Sequence, residues 1–274
     1  MVKSFVVNDG AHFTEDRPGS TRDDAVRKIQ RCRAIMHMTQ RDGALDLLKW
    51  LALLSMVLDH LRYVGYSLDI LYVPGRLAFP WFCLAMAANL ARARAVTTDG
   101  QWRYLGWLLL FSAISEIPYR IYMPDPDTLN VLPTLVLGLL VARGWQHKTL
   151  QLRLLAVGAL TLAALFPERL MFGFFGVLLP LTLLLVIKRP WYFSLLPGLV
   201  CLAANQWEVL FYSARFGNSA AILGIATCLI APLAGLLLLR HAGRLKPPLP
   251  MRRWAYALYP LHFLLLLLVR GIAA

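Results

Sequence analysis

The hydrophobic pattern of the chain is most informative at residues 45–60, a long apolar segment that also carries ionisable side chains. A bilayer-crossing helix needs roughly 20 mostly apolar residues, and this segment with its flanks is long enough. Asp46, Lys49, Asp59 and His60 lie within it. Each ionisable group inside a spanning helix costs about 2.5–3.5 kcal/mol on insertion scales, so the segment predicts a functional site. Lys49 and His60 are eleven residues apart, about three helical turns, and therefore lie on one face at different depths.

Similar apolar segments recur along the chain and predict an all-α, polytopic integral membrane protein with nine transmembrane helices. The predicted spans are residues 45–60, 70–90, 102–119, 129–142, 150–166, 170–187, 191–205, 220–239 and 254–269.

The distribution of Lys and Arg between these spans predicts the orientation. Alternate connections are rich in basic residues, namely Arg92, Arg94, Arg103, Arg143, Lys148, Arg153, Lys188, Arg189, Arg240, Arg244, Lys246, Arg252 and Arg253. The other connections hold only Arg62, Arg120, Arg169 and Arg215, and Arg270 lies near the C-terminal end. Since cytoplasmic loops carry the excess of positive charge, the alternation predicts a cytoplasmic N-terminus and an external C-terminus.

The first 43 residues differ from the rest and are predicted to form a polar, basic N-terminal tail, with the membrane domain at residues 44–274. Val26, Ile29, Ile35 and Met36 approximate a helical stripe among basic residues. Residues 21–40 thus predict a short helix on the membrane surface, with a solvated helix or a disordered arm as the alternative. We expect no cleaved secretory signal, because the first apolar run is too long and too charged.

Composition supports the membrane assignment and excludes other classes. The chain is 58% hydrophobic and only 16% charged, with a net charge of +13. The basic residues lie between apolar segments rather than on one polar face, so we expect membrane lipid and not nucleic acid as their partner. The four cysteines show no metal-ligand spacing, and we expect neither a metal site nor disulfides.

Asp59, His60, Arg76 and Glu116 belong to the outer half of the predicted bundle, and His262 lies midway along the last predicted span. His60 is the candidate general base, since the ordinary pKa of an imidazole is near 6.5. Asp59 and His60 point about 100° apart on a helix, so Asp59 is expected to pair with Arg76 from the next helix instead. The alternative for His262 is a hydrogen-bonded packing role.

Near the opposite surface lie Asp46 and Lys49. The alternative to a functional role for these two residues is a simple i,i+3 ion pair at a helix end.

These motifs resemble those of membrane acyltransferases that acetylate bacterial surface sugars. In that group a basic residue precedes a catalytic His by ten intervening residues, as Lys49 precedes His60, although the basic residue there is usually Arg. The closer resemblance is to the TraX family, typified by an F-pilin acetylase, and covers roughly residues 44–269. It is carried by Met56-Val-Leu-Asp-His60, Gly75-Arg-Leu-Ala-Phe-Pro80, Ile114-Ser-Glu-Ile-Pro118, Leu129-Asn-Val-Leu132 and Tyr256-Ala-Leu-Tyr-Pro-Leu-His262.

The resemblance implies a bacterial inner-membrane, multi-pass enzyme that transfers an acetyl group from cytoplasmic acetyl-CoA to a pilin subunit, in the setting of conjugation. His60, Asp59 and Arg76 would be catalytic, with Glu116 and His262 in the substrate region. The candidates for contacts with the CoA phosphates are Lys49, Arg92, Arg94, Arg252 and Arg253. His60 would either deprotonate the acceptor or carry the acetyl group transiently.

Three other interpretations remain open. The acceptor of the same chemistry could be a surface glycan or lipid. A transporter with a buried proton relay would instead spread ionisable residues over several spans and contain inverted repeats. A non-catalytic partner of a pilus-assembly machine would not bind acetyl-CoA.

Overall fold

The structure is a computed structural model that describes residues 43–65, 68–92, 98–123, 126–242, 249, 251 and 253–273. All regular elements in these ranges are helices. The α-helices are α1 (Gly43–Leu61), α2 (Tyr72–Gly75), α3 (Ala78–Arg92), α4 (Thr98–Tyr122), α5 (Val131–His147), α6 (Leu150–Leu165), α7 (Gly173–Val186), α8 (Leu195–Ala204), α9 (Trp207–Arg215), α10 (Ser219–His241) and α11 (Leu258–Ala273). Short 3-10 turns cover Asp69–Leu71, Pro167–Arg169, Trp191–Ser194 and Arg253–Ala257. The predicted tail helix at residues 21–40 lies outside the described residues.

Polar side chains fix where several helices begin. The side chain of Asn130 accepts a hydrogen bond from the Leu132 backbone N–H, and Asn218 does the same for Ala221. Thr149 caps α6 in this way after a sharp turn at Lys148, whose φ of 54° is left-handed. These caps satisfy N–H groups that the first turn of a helix leaves without a partner, which matters most where water is scarce.

The core lies between α1, α3 and α10, with α7 and α8 packed on α3 and α10. Small residues allow the close approach of α1 and α3, since Ala44, Ala52, Cys83 and Ala87 are completely buried. On the other side, α11 packs along α4 and also contacts α1. Helices from the two ends of the described chain therefore meet, and this contact positions the candidate site.

The pair α8 and α9 is a broken helix. The axes of the two parts differ by 82° at a break formed by Asn205 and Gln206, and Gln206 has a left-handed φ of 55°. Non-helical backbone at membrane depth is tolerated only where other groups satisfy it or where it lines a cavity. The break is therefore a place to look for polar contacts.

Three described stretches are long and apolar enough to cross a membrane: Asp69–Arg92, Ser219–His241 and Trp254–Ile272. The bent pair α8 and α9 would make a fourth if it forms one span. By this property the chain is a membrane protein.

The nine predicted spans all coincide with helical segments, but most of them do not meet that criterion of length and apolarity. Helix α1 carries three charged residues, and α5, α6 and α7 have 17, 16 and 14 residues. Nine spans and the cytoplasmic N-terminus therefore stay predictions.

The contact between α8 and α10 gives a stability prediction. A methyl group on Gly198 would lie 2.7 Å from the backbone oxygen of Leu229 and 3.3 Å from its Cα. Because backbone cannot move aside as a side chain can, we expect Gly198→Ala to lower the free energy of unfolding in detergent micelles by about 1–3 kcal/mol. Gly158→Ala is the matched control, since open space surrounds Gly158 and alanine favours a helix. Equal stability of the two variants would contradict this packing.

Candidate functional site

An apolar cavity of about 370 Å³ lies beside α1. Lys49 lies at one end of its α1 wall and Met56 at the other, about 10 Å apart along the helix. The remaining wall is mostly aliphatic and aromatic, with three tyrosines among its residues: Leu53, Phe82, Ala85, Met86, Asn89, Tyr104, Leu108, Val131, Leu132, Leu135, Met251, Ala255, Tyr256 and Tyr259. An elongated, largely apolar group with a charged end fits such walls.

The end of the cavity near Lys49 is covered by the segment that precedes α11. The Trp50 indole N–H donates to the backbone oxygen of Leu249 over 3.0 Å, and its ring lies 6.0 Å from that of Trp254. Lys49 forms the predicted i,i+3 ion pair with Asp46, at 3.5 Å. Asp46 is buried, so the pair keeps a compensated charge at this end of the cavity.

Beyond the other end of the cavity, His60 and His262 lie side by side. Both imidazoles are buried, and their ring centroids are 5.0 Å apart. The Nδ1 atom of His60 lies 2.8 Å from the backbone oxygen of Met56, and Nδ1 of His262 is hydrogen-bonded to the backbone oxygen of Tyr259. A carbonyl oxygen only accepts, so each neutral ring carries its proton on Nδ1 and presents an unprotonated Nε2. The pair thus places two unprotonated Nε2 atoms in one buried region.

Met56 and Tyr259 connect the two histidines to the cavity. Met56 and Tyr259 line its wall, while their backbone oxygens hold His60 and His262. Aromatic groups enclose the pair: the Phe263 ring is 5.0 Å from that of His60, and the Tyr122 hydroxyl donates to the His60 backbone oxygen over 2.5 Å. Burial among aromatic rings excludes water from both imidazoles.

A second polar cluster forms around Asp59, on the neighbouring face of α1. Arg76 Nη2 lies 3.1 Å from Oδ2 of Asp59, which confirms the predicted pair, and Arg62 Nη2 lies 3.1 Å from Oδ1. Arg76 Nη1 also donates to Oδ1 of Asn205 over 2.6 Å. The Asn205 amide in turn donates to the backbone oxygen of Cys201 at the end of α8. The cluster therefore ties α1 and the residues after α2 to the break between α8 and α9.

Close packing at Gly75 fixes the position of Asp59. A methyl group on Gly75 would lie 2.6 Å from both Cβ and Cγ of Asp59. The Arg76 guanidinium also stacks over the Tyr72 ring at 4.2 Å, which adds a cation–π contact. With Asp59, Asn205 and Tyr72 as neighbours, Arg76 is held in place rather than directed into the cavity.

Glu116 is joined to the histidine region through the start of α5. Its Oε2 accepts hydrogen bonds from the backbone N–H and the side-chain amide of Asn130, and Oε1 pairs with Arg120 at 2.7 Å. The next N–H, that of Val131, donates to the Tyr259 hydroxyl over 3.3 Å. Glu116 therefore supports the helix start that contacts Tyr259, whose backbone oxygen holds His262.

The predicted contacts with CoA phosphates are only partly within the described structure. Arg92 is exposed at the end of α3, and the backbone of Arg253 belongs to the turn before α11. Arg94 and Arg252 lie outside the described residues. The role of these four arginines stays a prediction.

Sequence reasoning missed the residues that hold the site together from a distance. The sequence pattern assigns no role to Asn205 or Tyr122, and Tyr259 stands only within the motif that ends at His262. The signal that could have found Asn205 is a polar amide followed by Gln206 between two apolar runs, which is typical of a broken helix.

Comparison with known proteins agrees with the resemblance in the sequence. A family model described as "TraX protein" matches residues 44–270. "Protein TraX" of Escherichia coli is 30% identical over 96 residues, which are 35% of this chain and 39% of that protein. The match thus spans well under half of the relative. No solved structure matches.

The Asp59 cluster predicts a specific pattern of stability. Because Arg76→Gln leaves the partly buried Asp59 carboxylate with Arg62 as its remaining described ion-pair partner, we expect it to lower the free energy of unfolding by about 1–3 kcal/mol. The double variant Asp59→Asn/Arg76→Gln should be more stable than Arg76→Gln, since the carboxylate that has lost Arg76 is removed as well. Arg215→Gln, at an exposed site on α9, serves as the control and should change stability by less than about 0.5 kcal/mol. A double variant less stable than both single variants would contradict the pairing.

Proposed function

Because the chain belongs to the TraX family, we propose that it is a membrane acetyltransferase that transfers an acetyl group from acetyl-CoA to the N-terminal amine of a pilin subunit. The observation that carries the proposal is the alignment of three features along α1: the Lys49 cation, the apolar cavity, and the buried His60–His262 pair. The proposed identity of the acceptor rests on the family resemblance and not on the shape of the cavity.

The cavity suits the arm of acetyl-CoA that carries the thioester. This arm is narrow, elongated and of mixed polarity, and a volume of about 370 Å³ with mainly apolar walls can take it together with an acetyl group. The nucleotide would remain outside, near Lys49 and the basic residues Arg92, Arg94, Arg252 and Arg253. The thioester would then lie toward Met56, one helical turn before His60.

His60 is proposed as the general base. Its Nε2 takes a proton from the acceptor amine as the nitrogen attacks the thioester carbon. The C–N bond forms, the C–S bond breaks, and CoA leaves as a thiol after receiving that proton from His60. His262 lies close enough to share the proton, and enclosure by Phe263 and Tyr122 keeps water from hydrolysing the thioester.

Asp59 and Arg76 are proposed to position the end of α1 and not to touch the reacting atoms. Asp59 occupies the residue next to His60, and its contacts with Arg62, Arg76 and Gly75 fix this turn of the helix. Glu116 has a similar supporting role for His262 through the start of α5. All three residues would then influence the rate through the placement of the histidines.

Substitution of the two α1 residues should separate chemistry from donor binding. We expect His60→Ala to reduce labelled acetyl transfer at least a hundredfold, in line with loss of a general base, while acetyl-CoA binding is kept. Lys49→Ala should instead weaken acetyl-CoA binding by equilibrium dialysis. His241→Ala is the matched control, because His241 makes the same bond to a backbone oxygen four residues earlier but lies exposed at the end of α10. Full activity of His60→Ala would falsify the assignment.

Filling the cavity provides a test that leaves the chemistry intact. Ala85 lines the cavity on α3, so Ala85→Leu should reduce acetyl-CoA affinity more than tenfold by occupying donor space. Ala91→Leu, on a different face of the same helix and outside the cavity, should bind acetyl-CoA like the unmodified protein. Unchanged binding by a folded Ala85→Leu protein would place the donor elsewhere.

A further inference from the structure

A second concave region lies where α3, α5 and α7 end. This groove has a volume of about 570 Å³ and is lined by the loop after α5 and by the last turn of α7 with the residues that follow it. A hydrogen bond from the Gln146 side chain to the backbone oxygen of Leu90, 2.8 Å long, joins α5 to α3 at its edge. We call it the basic groove.

The charged residues described in the lining of the basic groove are all positive. Lys148, Lys188 and Arg189 line it, and no carboxylate is among its described lining residues. Arg240 adds a fourth cation nearby, since its guanidinium donates to the Arg189 backbone oxygen. Cations at helix C-termini are favourable by themselves, because they complement the helix dipole. Cations that point into solvent would complement the helix dipole equally well. The dipole therefore does not explain why three cations line one groove.

The other wall of the groove is apolar and continues onto the outer surface of the bundle. Leu184, Leu185 and Ile187 line it, and the side chain of Trp145 is 57% exposed. The segment after Arg189 exposes Trp191 and Tyr192 as well. Trp and Tyr at helix ends are typical of the membrane–water interface. A ligand of this groove therefore meets positive charge on one side and a lipid-facing surface on the other.

The basic groove is separate from the cavity beside α1. Asn89 lines the cavity and Ala91 lines the groove, and residues two apart on a helix point in nearly opposite directions. Helix α3 thus stands between the two regions. An acetyl-CoA molecule in the cavity would not reach the groove directly.

We propose that the basic groove binds the headgroup of an anionic phospholipid. Its phosphate pairs with Lys148, Lys188 and Arg189, while the adjoining acyl region packs against Leu185 and Trp145. Oε1 of Gln146 is buried without a hydrogen-bond donor among the described residues. A headgroup that also carries a hydroxyl donor, as phosphatidylglycerol does, matches this acceptor.

The test is lipid titration of the full-length protein in an uncharged detergent, with native mass spectrometry to resolve bound lipid. Phosphatidylglycerol and phosphatidylcholine are compared for three proteins: unmodified, Lys148→Gln/Lys188→Gln, and Arg169→Gln/Arg215→Gln. Both double variants remove two exposed positive charges, but only the first removes them from the groove. Circular dichroism and the gel-filtration elution volume are measured on each protein to verify that it is folded, and acetyl-CoA binding is measured separately.

We expect the groove variant to lose affinity for phosphatidylglycerol roughly 30-fold, with phosphatidylcholine and acetyl-CoA binding unchanged. The control variant should keep the phosphatidylglycerol preference of the unmodified protein. Equal preference in the groove variant and the control variant would overturn the proposal. The proposal would also be overturned if the groove variant lost acetyl-CoA binding but kept its lipid preference. That result would show that the groove binds acetyl-CoA.

Discussion

The arrangement depends on two hydrogen bonds that join imidazole rings to the backbone of their own helices. A buried polar group must find a partner, and the Nδ1 atoms of His60 and His262 find theirs at Met56 and Tyr259. Each ring is thereby fixed in one tautomer with a basic Nε2. Because both rings lie where α11 contacts α1, the contact between these two helices also places the two imidazoles side by side.

The other ionisable groups of α1 follow the same constraint. Asp46 pairs with Lys49, and Asp59 pairs with Arg62 and Arg76. Removing one partner of a buried ion pair costs more than the pair itself contributes to stability, so these groups are interdependent. The Asp59 cluster extends this dependence to Asn205 at the broken helix. A polar network that reaches α8 and α9 thus sets the geometry of the turn that carries His60.

Local sequence patterns predicted what depends on local structure. Asp46 and Lys49 pair one turn apart on α1, and the apolar segments are helices. Asp59 pairs with Arg76, as the cost of an unpaired charge between neighbouring segments predicts. The contact of His262 with His60 could not be derived in this way, because it joins residues about two hundred positions apart. The cavity and the role of Asn205 likewise arise from packing between distant helices. The number of spans was harder to predict, since α1 carries charges and α5 to α7 are short.

The most direct test locates the acyl end of the donor. An acetyl-CoA analogue with a photoreactive group in its acyl chain would be cross-linked to the full-length protein in lipid, and the labelled peptides mapped by mass spectrometry. The label should fall on α1 near Met56 and on α11 near Tyr259, and excess acetyl-CoA should prevent it. Label confined to the basic groove, or label that acetyl-CoA does not displace, would contradict the proposed path of the donor along α1.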